Sequence, residues 1–478
     1  MKEQKKTKII CTIGPASNTP DVFRKLVQAG LNIARLNFSH GTHETHLGLI
    51  KMIRSVEKEL NTAIAIMLDT KGPEVRTIDF ENGSCTYEKG SVFFITSAIV
   101  LGNKEGFSVN YPSFFECTKI GSLVKIDDGK FVAKIIKKDS EKQLVFCKAL
   151  NTYTISNHKG VNLPGARLNM EFLSKQDESD IRFGLDNGID MIAASFVRRK
   201  EDVLAIKRIL TETKHDDVLV ISKIESMESL PHIDEIIAVS DGIMVARGDL
   251  GVEVEAERVP IIQKMLIDKC KKASKPVIVA TQMLESMQHS IRPTRAEVND
   301  VALAIYQEAD CVMLSGESAS GEYPVESTDM QRKIALEIEK ELDYKQNAIE
   351  ALSTTSVKKD SLTAAVSFAA ITSAAKLIIV FDEDGTITKK ISVSRPIVPI
   401  VCLTSSISVA RKSALYWGII PILLEHINQA ENDSKFVFVN RIARNYKLKS
   451  KSKVLLVKRK NQKDFSLKEE SIRIITIE

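Results

Sequence analysis

Short apolar runs, each closing on polar or charged residues, alternate with longer stretches of helical period along most of the chain. In order they are "KIICTIG" (8–14), "LNIARLNFSHG" (31–41), "AIAIMLDTKG" (63–72), "MIAASFVRR" (191–199), "VLVISKIES" (218–226), "GIMVARGD" (242–249), "PVIVATQM" (276–283) and "CVMLSG" (311–316). Runs of this kind between helices read as strands of a parallel sheet covered on both faces. Eight of them is the number that closes a (β/α)8 TIM barrel, although an open doubly wound sheet alternates in the same way.

The rhythm breaks between the third and fourth runs. Residues 73–170 carry short alternating stretches such as "SVFFITS", "LVKIDDGKFVAKII" and "QLVFCKAL", with few helical patterns, which predicts an inserted all-β domain. After the eighth run come a helical pattern over about 325–345 and the polar linker "STTSVKKD" (353–360). A new α/β rhythm follows, with the helix "SLTAAVSFAAITSAAK" and the strands "LIIVF", "IVPIVCL", "IIPILL", "VLLV" and "IRIITI". The expected division is 1–72 plus 171–345 for the barrel, 73–170 for the insertion, and 346–478 for a C-terminal α/β domain.

Composition narrows the function classes. Among 478 residues, 67 Lys and Arg nearly balance 62 Asp and Glu, leaving a net charge of +5, so the chain as a whole is no nucleic-acid binder. The most basic stretch, 441–463, flanks the apolar "VLLV" and reads as a solvated domain edge. The 7 cysteines are scattered and form no C-x-x-C, as expected of free thiols in a reducing cytosol. "MKEQKKTK" lacks the apolar core of a signal peptide, and no run is long enough to span a membrane. A cytoplasmic protein is the expectation.

A barrel places its chemistry at the C-terminal strand ends. There the sequence sets Arg35, Asn37 and Ser39; Asp69 and Lys71; Lys223 and Glu225; Arg247 and Asp249; Thr281 and Gln282; Ser315 and Glu317. Taken alone, Lys223 and Glu225 are a salt bridge at a strand end. Taken with cations, carboxylates and hydroxyls on the neighbouring strands, they point to a polyanion site with metals. Glu225 and Asp249 are hard oxygen ligands suited to Mg²⁺, Arg35 offers a fork to a phosphate, and Lys223 is a mobile point charge. Asn37, Ser39, Asp69 and Thr70 form either a nest for a monovalent cation or a set of hydrogen-bonded turn residues. His40 adjoins the site and is placed to approach a nucleotide phosphate, whereas His43 and His46 read as surface helix residues rather than zinc ligands. No Gly-rich phosphate cradle of either common type is present.

"TKIICTIGPAS", "ARLNFSHGTHE", "LDTKGPEVRT", "KGVNLPG", "FVRRKEDV", "ISKIES", "DGIMVARGDLG", "ATQMLESM" and "MLSGESASGEYPVE" occur in this order and together resemble the pyruvate kinase family. The resemblance covers nearly all of 5–345; beyond that only the α/β rhythm is similar. It implies a β-domain acting as a lid, a regulatory C-terminal domain, a homotetramer, and transfer of a phosphoryl group from phosphoenolpyruvate to ADP, giving pyruvate and ATP in glycolysis. It further implies Arg35 on the phosphates, Mg²⁺ (or Mn²⁺) on Glu225 and Asp249, and K⁺ on Asn37, Ser39, Asp69 and Thr70. Lys223 would stabilise the transition state, Gly248, Asp249 and Thr281 would position substrate, and Arg76 and Lys159 would reach the nucleotide. Glu74 matches members that require K⁺. One departure is the loop "VFDEDGTITKK", where Asp382, Glu383 and Asp384 would repel a sugar phosphate; activation by fructose 1,6-bisphosphate is therefore not expected. A barrel enzyme of carbon–carbon bond chemistry would need neither Arg76 nor Lys159, and a silent scaffold would not need Lys223, Glu225 and Asp249.

Overall fold

A computed structural model describes residues 4–353, 361–424, 437–461 and 468–477. Eight parallel strands close into a barrel: β1 (Lys8–Thr12), β2 (Ile33–Asn37), β3 (Ala65–Asp69), β4 (Met191–Ala194), β5 (Leu219–Ile224), β6 (Gly242–Ala246), β7 (Val277–Ala280) and β8 (Cys311–Leu314). Hydrogen bonding runs β1-β8-β7-β6-β5-β4-β3-β2 and back to β1, so the sheet has no edge. All eight expected runs are barrel strands.

Alternation along each strand sorts the side chains into two layers. Ile9 and Cys11, Ala34 and Leu36, Ile66 and Leu68, and Ile192 and Ala194 point outward to the helices. Ile10, Ile33, Met67, Ala193, Ile221, Met244, Ile278 and Met313 fill the inside. Continuing the inward rows past the apolar layer brings Thr12, Arg35, Asp69, Ser195 and Lys223 to the C-terminal mouth.

Between β3 and β4 the chain builds a separate β unit. Its six-stranded sheet includes Leu123–Ile126, Phe131–Asp139, Leu144–Ala149 and Val92–Thr96, and a small second sheet pairs Tyr153–Ser156 with Ser84–Tyr87. Phe93, Phe107, Phe131 and Tyr87 form its own core, and its one helix is the short Phe114–Cys117. Lys125 donates to the carbonyl of Val252 at 2.5 Å, and Asn162 to Glu253 at 3.3 Å, so the insertion lies against the barrel mouth.

At the other end sits a five-stranded sheet of order β11-β10-β9-β12-β13, made of β9 (Ile378–Phe381), β10 (Ile400–Thr404), β11 (Ile419–Leu423), β12 (Lys453–Asn461) and β13 (Lys468–Thr476). Only β13 runs antiparallel to its neighbour. The basic stretch thus flanks an internal strand whose Val454–Val457 segment is buried; its residues 462 and 463 lie outside the described residues, as does most of the linker at 353–360. Beneath the barrel, the inward-facing residues of the strands belong to one apolar cluster with Val366, Ile391, Leu415 and Tyr416 of this domain. Ion pairs reinforce the contact: Arg411 with Glu57, Lys412 with Asp217, and Arg395 with Asp310 at 3.0 Å.

Candidate active site

Lys223 is the centre of the rim. It projects from β5 into the barrel mouth, 8% exposed, with its Nζ 2.9 Å from Asp69 Oδ1, 2.8 Å from Ser195 Oγ and 3.0 Å from Glu225 Oε1. The salt bridge to Glu225 exists, as one of three contacts. Asp69 turns its other oxygen to Arg35, whose Nε donates at 2.6 Å; a second guanidinium nitrogen donates to Thr12 Oγ1 at 2.8 Å. Asp69 therefore bridges the two cations and fixes their separation.

The charges divide the acids into two kinds. Burial alone would push Asp69 up, but Arg35 and Lys223 outweigh it and hold the carboxyl below its usual range. Glu225 is pushed up to about 7, by burial first and then by repulsion from Asp249 and Asp69, against the pull of Lys223. Asp249 is raised for the same reasons, with Glu74 and Asp128 adding to the repulsion. Lys223 is buried at a cost, yet Asp69 and Glu225 more than offset it and raise its pKa. Two buried carboxylates with too few cations around them fit a hard divalent ion, which Glu225 and Asp249 would hold and which would offset that repulsion. Among the described residues no three His, Cys, Asp or Glu side chains form a ready metal cage.

Next to β5 at the mouth, Asp249 lies in the helix Arg247–Glu253 that follows β6. The amide of Gly248 donates to Thr281 Oγ1 at 2.7 Å, tying this helix to the end of β7. Thr281 and Gln282 have φ of 68° and 52°, a region costly for a β-branched residue. Arg247 stabilises that turn by donating to the carbonyls of Ala280 at 3.1 Å and Thr281 at 2.7 Å while pairing with Asp300 at 2.6 Å. Buried Glu317 accepts from the amides of Ser315 at 2.8 Å and Leu284 at 3.0 Å, holding the ends of β7 and β8 together.

The nucleotide-facing expectations fall on the insertion and the β2 loop. Arg76 pairs with Glu74 and donates to the His158 carbonyl at 2.7 Å, and Lys159 pairs with Asp127 at 3.0 Å. Asn37 Oδ1 accepts from the Ser39 amide at 3.2 Å, as in a turn, and the Thr70 carbonyl accepts from Ser195 Oγ at 2.6 Å. His40 is exposed, but His46 is not a surface residue. Its ring stacks on Phe38 at 3.9 Å and lies 2.8 Å from the His40 carbonyl, while His43 pairs with Asp180 at 2.7 Å. Thr42 caps the helix that starts at His43, so positions 43 and 46 share the face turned to the barrel. The spacing identified a common face without telling which way it points.

Ser195 escaped the sequence reading. The signal was available: it follows the apolar run of β4 in the same way that Glu225 follows β5. Its neighbour Phe196, at φ 55°, donates its amide to Glu225 Oε2 at 2.6 Å.

The class is that of (β/α)8 barrel enzymes that handle an anionic substrate among cations and carboxylates at the strand ends. Comparison with known proteins makes it specific. The family model for the pyruvate kinase barrel domain matches residues 4–328, and that for the pyruvate kinase alpha/beta domain matches 360–468. The pyruvate kinase of Staphylococcus epidermidis is 46% identical over 424 residues, spanning 88% of this chain and 72% of the relative. That of Sporosarcina psychrophila is 44% identical over the same shares. A crystal structure of a pyruvate kinase from Cryptosporidium parvum superposes with a TM-score of 0.91 at 35% identity, covering 99% of this chain and 97% of the other. The chain belongs to the pyruvate kinase family and is a phosphotransferase.

Proposed function

We propose that the protein transfers the phosphoryl group of phosphoenolpyruvate to ADP, giving pyruvate and ATP as the last step of glycolysis in the cytoplasm. The observation that carries the reading is the buried Lys223 ammonium, held between Asp69 and Glu225 with Arg35 on the far side of Asp69. In the reaction a terminal phosphate oxygen of ADP bonds to phosphorus, the bond from phosphorus to the enol oxygen breaks, and the enolate takes a proton at carbon. Such transfers pass through a loose transition state, so neutralising charge and aligning the partners is most of the protein's work. Arg35 and Lys223 supply fixed positive charge. Glu225 and Asp249 would hold Mg²⁺ or Mn²⁺, which supplies further charge neutralisation when bound. Thr281, by way of water, is the proton donor to the enolate, with Ser315 the alternative.

Asn37, Ser39, Asp69 and Thr70 would hold K⁺, three contributing neutral oxygens and Asp69 the one carboxylate. Glu74 beside Arg76 is consistent with a K⁺-requiring member. Arg76, Lys159 and His40 face ADP, and Gly248, Asp249 and Thr281 the substrate. The division read is 1–72 plus 171–345 for the barrel, 73–170 for the insertion and 346–478 for the C-terminal domain, although the helix Tyr344–Ser353 runs across the 345/346 boundary; the insertion acts as a lid that excludes water from the transfer. A homotetramer is the expected assembly. A coupled assay of ADP-dependent pyruvate formation, with and without Mg²⁺ and K⁺, tests the reaction: no pyruvate when both ions are supplied refutes it, and undiminished turnover without K⁺ refutes the K⁺ assignment.

Regulation by fructose 1,6-bisphosphate is not part of this reading. Asp382 accepts from the Thr388 amide at 2.7 Å and its hydroxyl at 2.6 Å. Glu383 Oε2 accepts from the Ser405 amide at 3.0 Å, the Ser405 hydroxyl at 2.8 Å and Thr404 Oγ1 at 3.4 Å. The hydroxyls and amide that would otherwise serve a phosphate are engaged by the chain's own carboxylate. Saturation curves for phosphoenolpyruvate should not shift on adding the bisphosphate; a strong shift would sink this reading.

A further inference from the structure

An ammonium has three N–H donors, and Lys223 meets three oxygens: Asp69 Oδ1 at 2.9 Å, Ser195 Oγ at 2.8 Å and Glu225 Oε1 at 3.0 Å. Two of these belong to carboxylates with other duties. Asp69 also binds Arg35, and Glu225 is a proposed ligand of the divalent ion. Ser195 is the neutral third, 1% exposed and clamped on every side. Its hydroxyl lies 2.6 Å from the Thr70 carbonyl, to which it donates, which leaves its lone pairs to Lys223; Asp69 Oδ1 is farther, at 3.2 Å. Its amide donates to Thr70 Oγ1 at 3.0 Å.

The flanking chain keeps this serine in place. Phe196 holds a positive φ of 55° while its amide grips Glu225 at 2.6 Å, so the end of β4 reaches both functional side chains of β5. Gly72, where the chain leaves the barrel for the insertion, presses on the same spot. A Cβ there would come within 2.8 Å of Ser195 Cβ and 3.0 Å of the Phe196 ring, and the backbone sits at φ +72°.

We propose that Ser195 is a positioning residue for phosphoryl transfer: it and Asp69 fix two N–H groups of Lys223, which aims the third at the phosphoryl group. The proposal rests on the transfer reading above. With Glu225 engaged by its cation, two anchors still define the direction of the free N–H of a tetrahedral nitrogen. With Asp69 alone, the ammonium swivels about a single contact. A displacement of about 1 Å in a reacting group can cost about 10²-fold in rate.

Ser195→Ala and Ser195→Cys test the idea, the second because a thiol fills the same space but is a weak hydrogen-bonding partner. Both variants should lose about 10- to 100-fold in kcat, with KM for phosphoenolpyruvate and ADP within about threefold of wild type. In crystals of either variant, Nζ of Lys223 should leave its place between Asp69 and residue 195. If the alanine protein does not fold, the cysteine protein serves for both measurements. A cysteine variant at wild-type kcat, a loss carried wholly by KM, or an unmoved Nζ in a slowed variant would each overturn the proposal. Failure of the underlying reading is separate, because it would show as near-normal turnover in Lys223→Met.

Discussion

The barrel mouth and the acidic loop of the C-terminal domain both gather carboxylates just past the ends of parallel strands, and they do opposite things with them. At the mouth, Asp69 is matched to two cations, while burial pushes Glu225 and Asp249 toward neutrality and the nearby positive charge does not offset it. In the loop, Asp382, Glu383 and Asp384 face amides and hydroxyls of their own chain, with Asp384 accepting from the Thr386 amide at 2.8 Å. The first arrangement leaves a demand for cations that a metal and a substrate complex can meet. The second engages its acids with donors of its own chain, although burial and then Asp384 still push Asp382 up. Similar residue types at similar topological positions thus give a site in one place and a stable turn in the other, and the partners decide which.

The largest effect should come from removing the cation on which the mouth depends. Lys223→Met should lower turnover by at least about 10³-fold while circular dichroism stays native, and near-normal turnover would refute its role. Next, Glu225→Gln should raise the Mg²⁺ concentration for half-maximal activity by about 10- to 100-fold; an unchanged metal titration would remove Glu225 from the metal site. Arg76→Ala is expected to raise KM for ADP by about tenfold and leave that for phosphoenolpyruvate alone, since one charge-assisted hydrogen bond is worth about 1.5 kcal/mol. Equal changes in both constants would argue against a nucleotide-facing role.

The smallest effect probes the loop and touches stability alone. Asp382 is pushed up to about 6, by burial first and then by Asp384, against the bonds from Thr388. A carboxyl raised above its unfolded value favours folding fully below about pH 4, and that contribution is lost as pH rises through about 6. Asp382→Asn should therefore flatten the fall in Tm between these pH values, by about 2–4 °C, without altering kcat. An unchanged slope would mean that the bonds from Thr388 already hold Asp382 ionised.

Much of this was legible in the chain. Apolar runs closing on polar or charged residues marked all eight barrel strands, and because inward rows continue past the apolar layer, Arg35, Asp69 and Lys223 could be placed at the mouth from spacing alone. What escaped depended on direction or on distant partners. Ser195 at a strand end looks like any turn serine until Lys223 is seen 2.8 Å away. The orientation of His46 is set by Phe38 and by where Thr42 starts the helix, and helical period carries neither. That Glu383 is met by Thr404 and Ser405 depends on the pairing of β9 with β10, which no local pattern encodes.

The shared apolar layer beneath the barrel bears on how such a chain can change over generations. Ile10, Met67 and Met244 of the barrel and Leu415 and Tyr416 of the C-terminal domain belong to one cluster, so the two parts have no clean seam between them. A recombination event that joined this barrel to a relative's C-terminal domain would have to carry matching shapes across that layer, and replacements for Arg395, Arg411 and Lys412 opposite Asp310, Glu57 and Asp217 as well. The two domains are therefore expected to be inherited as one block, with new regulation arising by point changes in the outer loops rather than by exchange of the whole module.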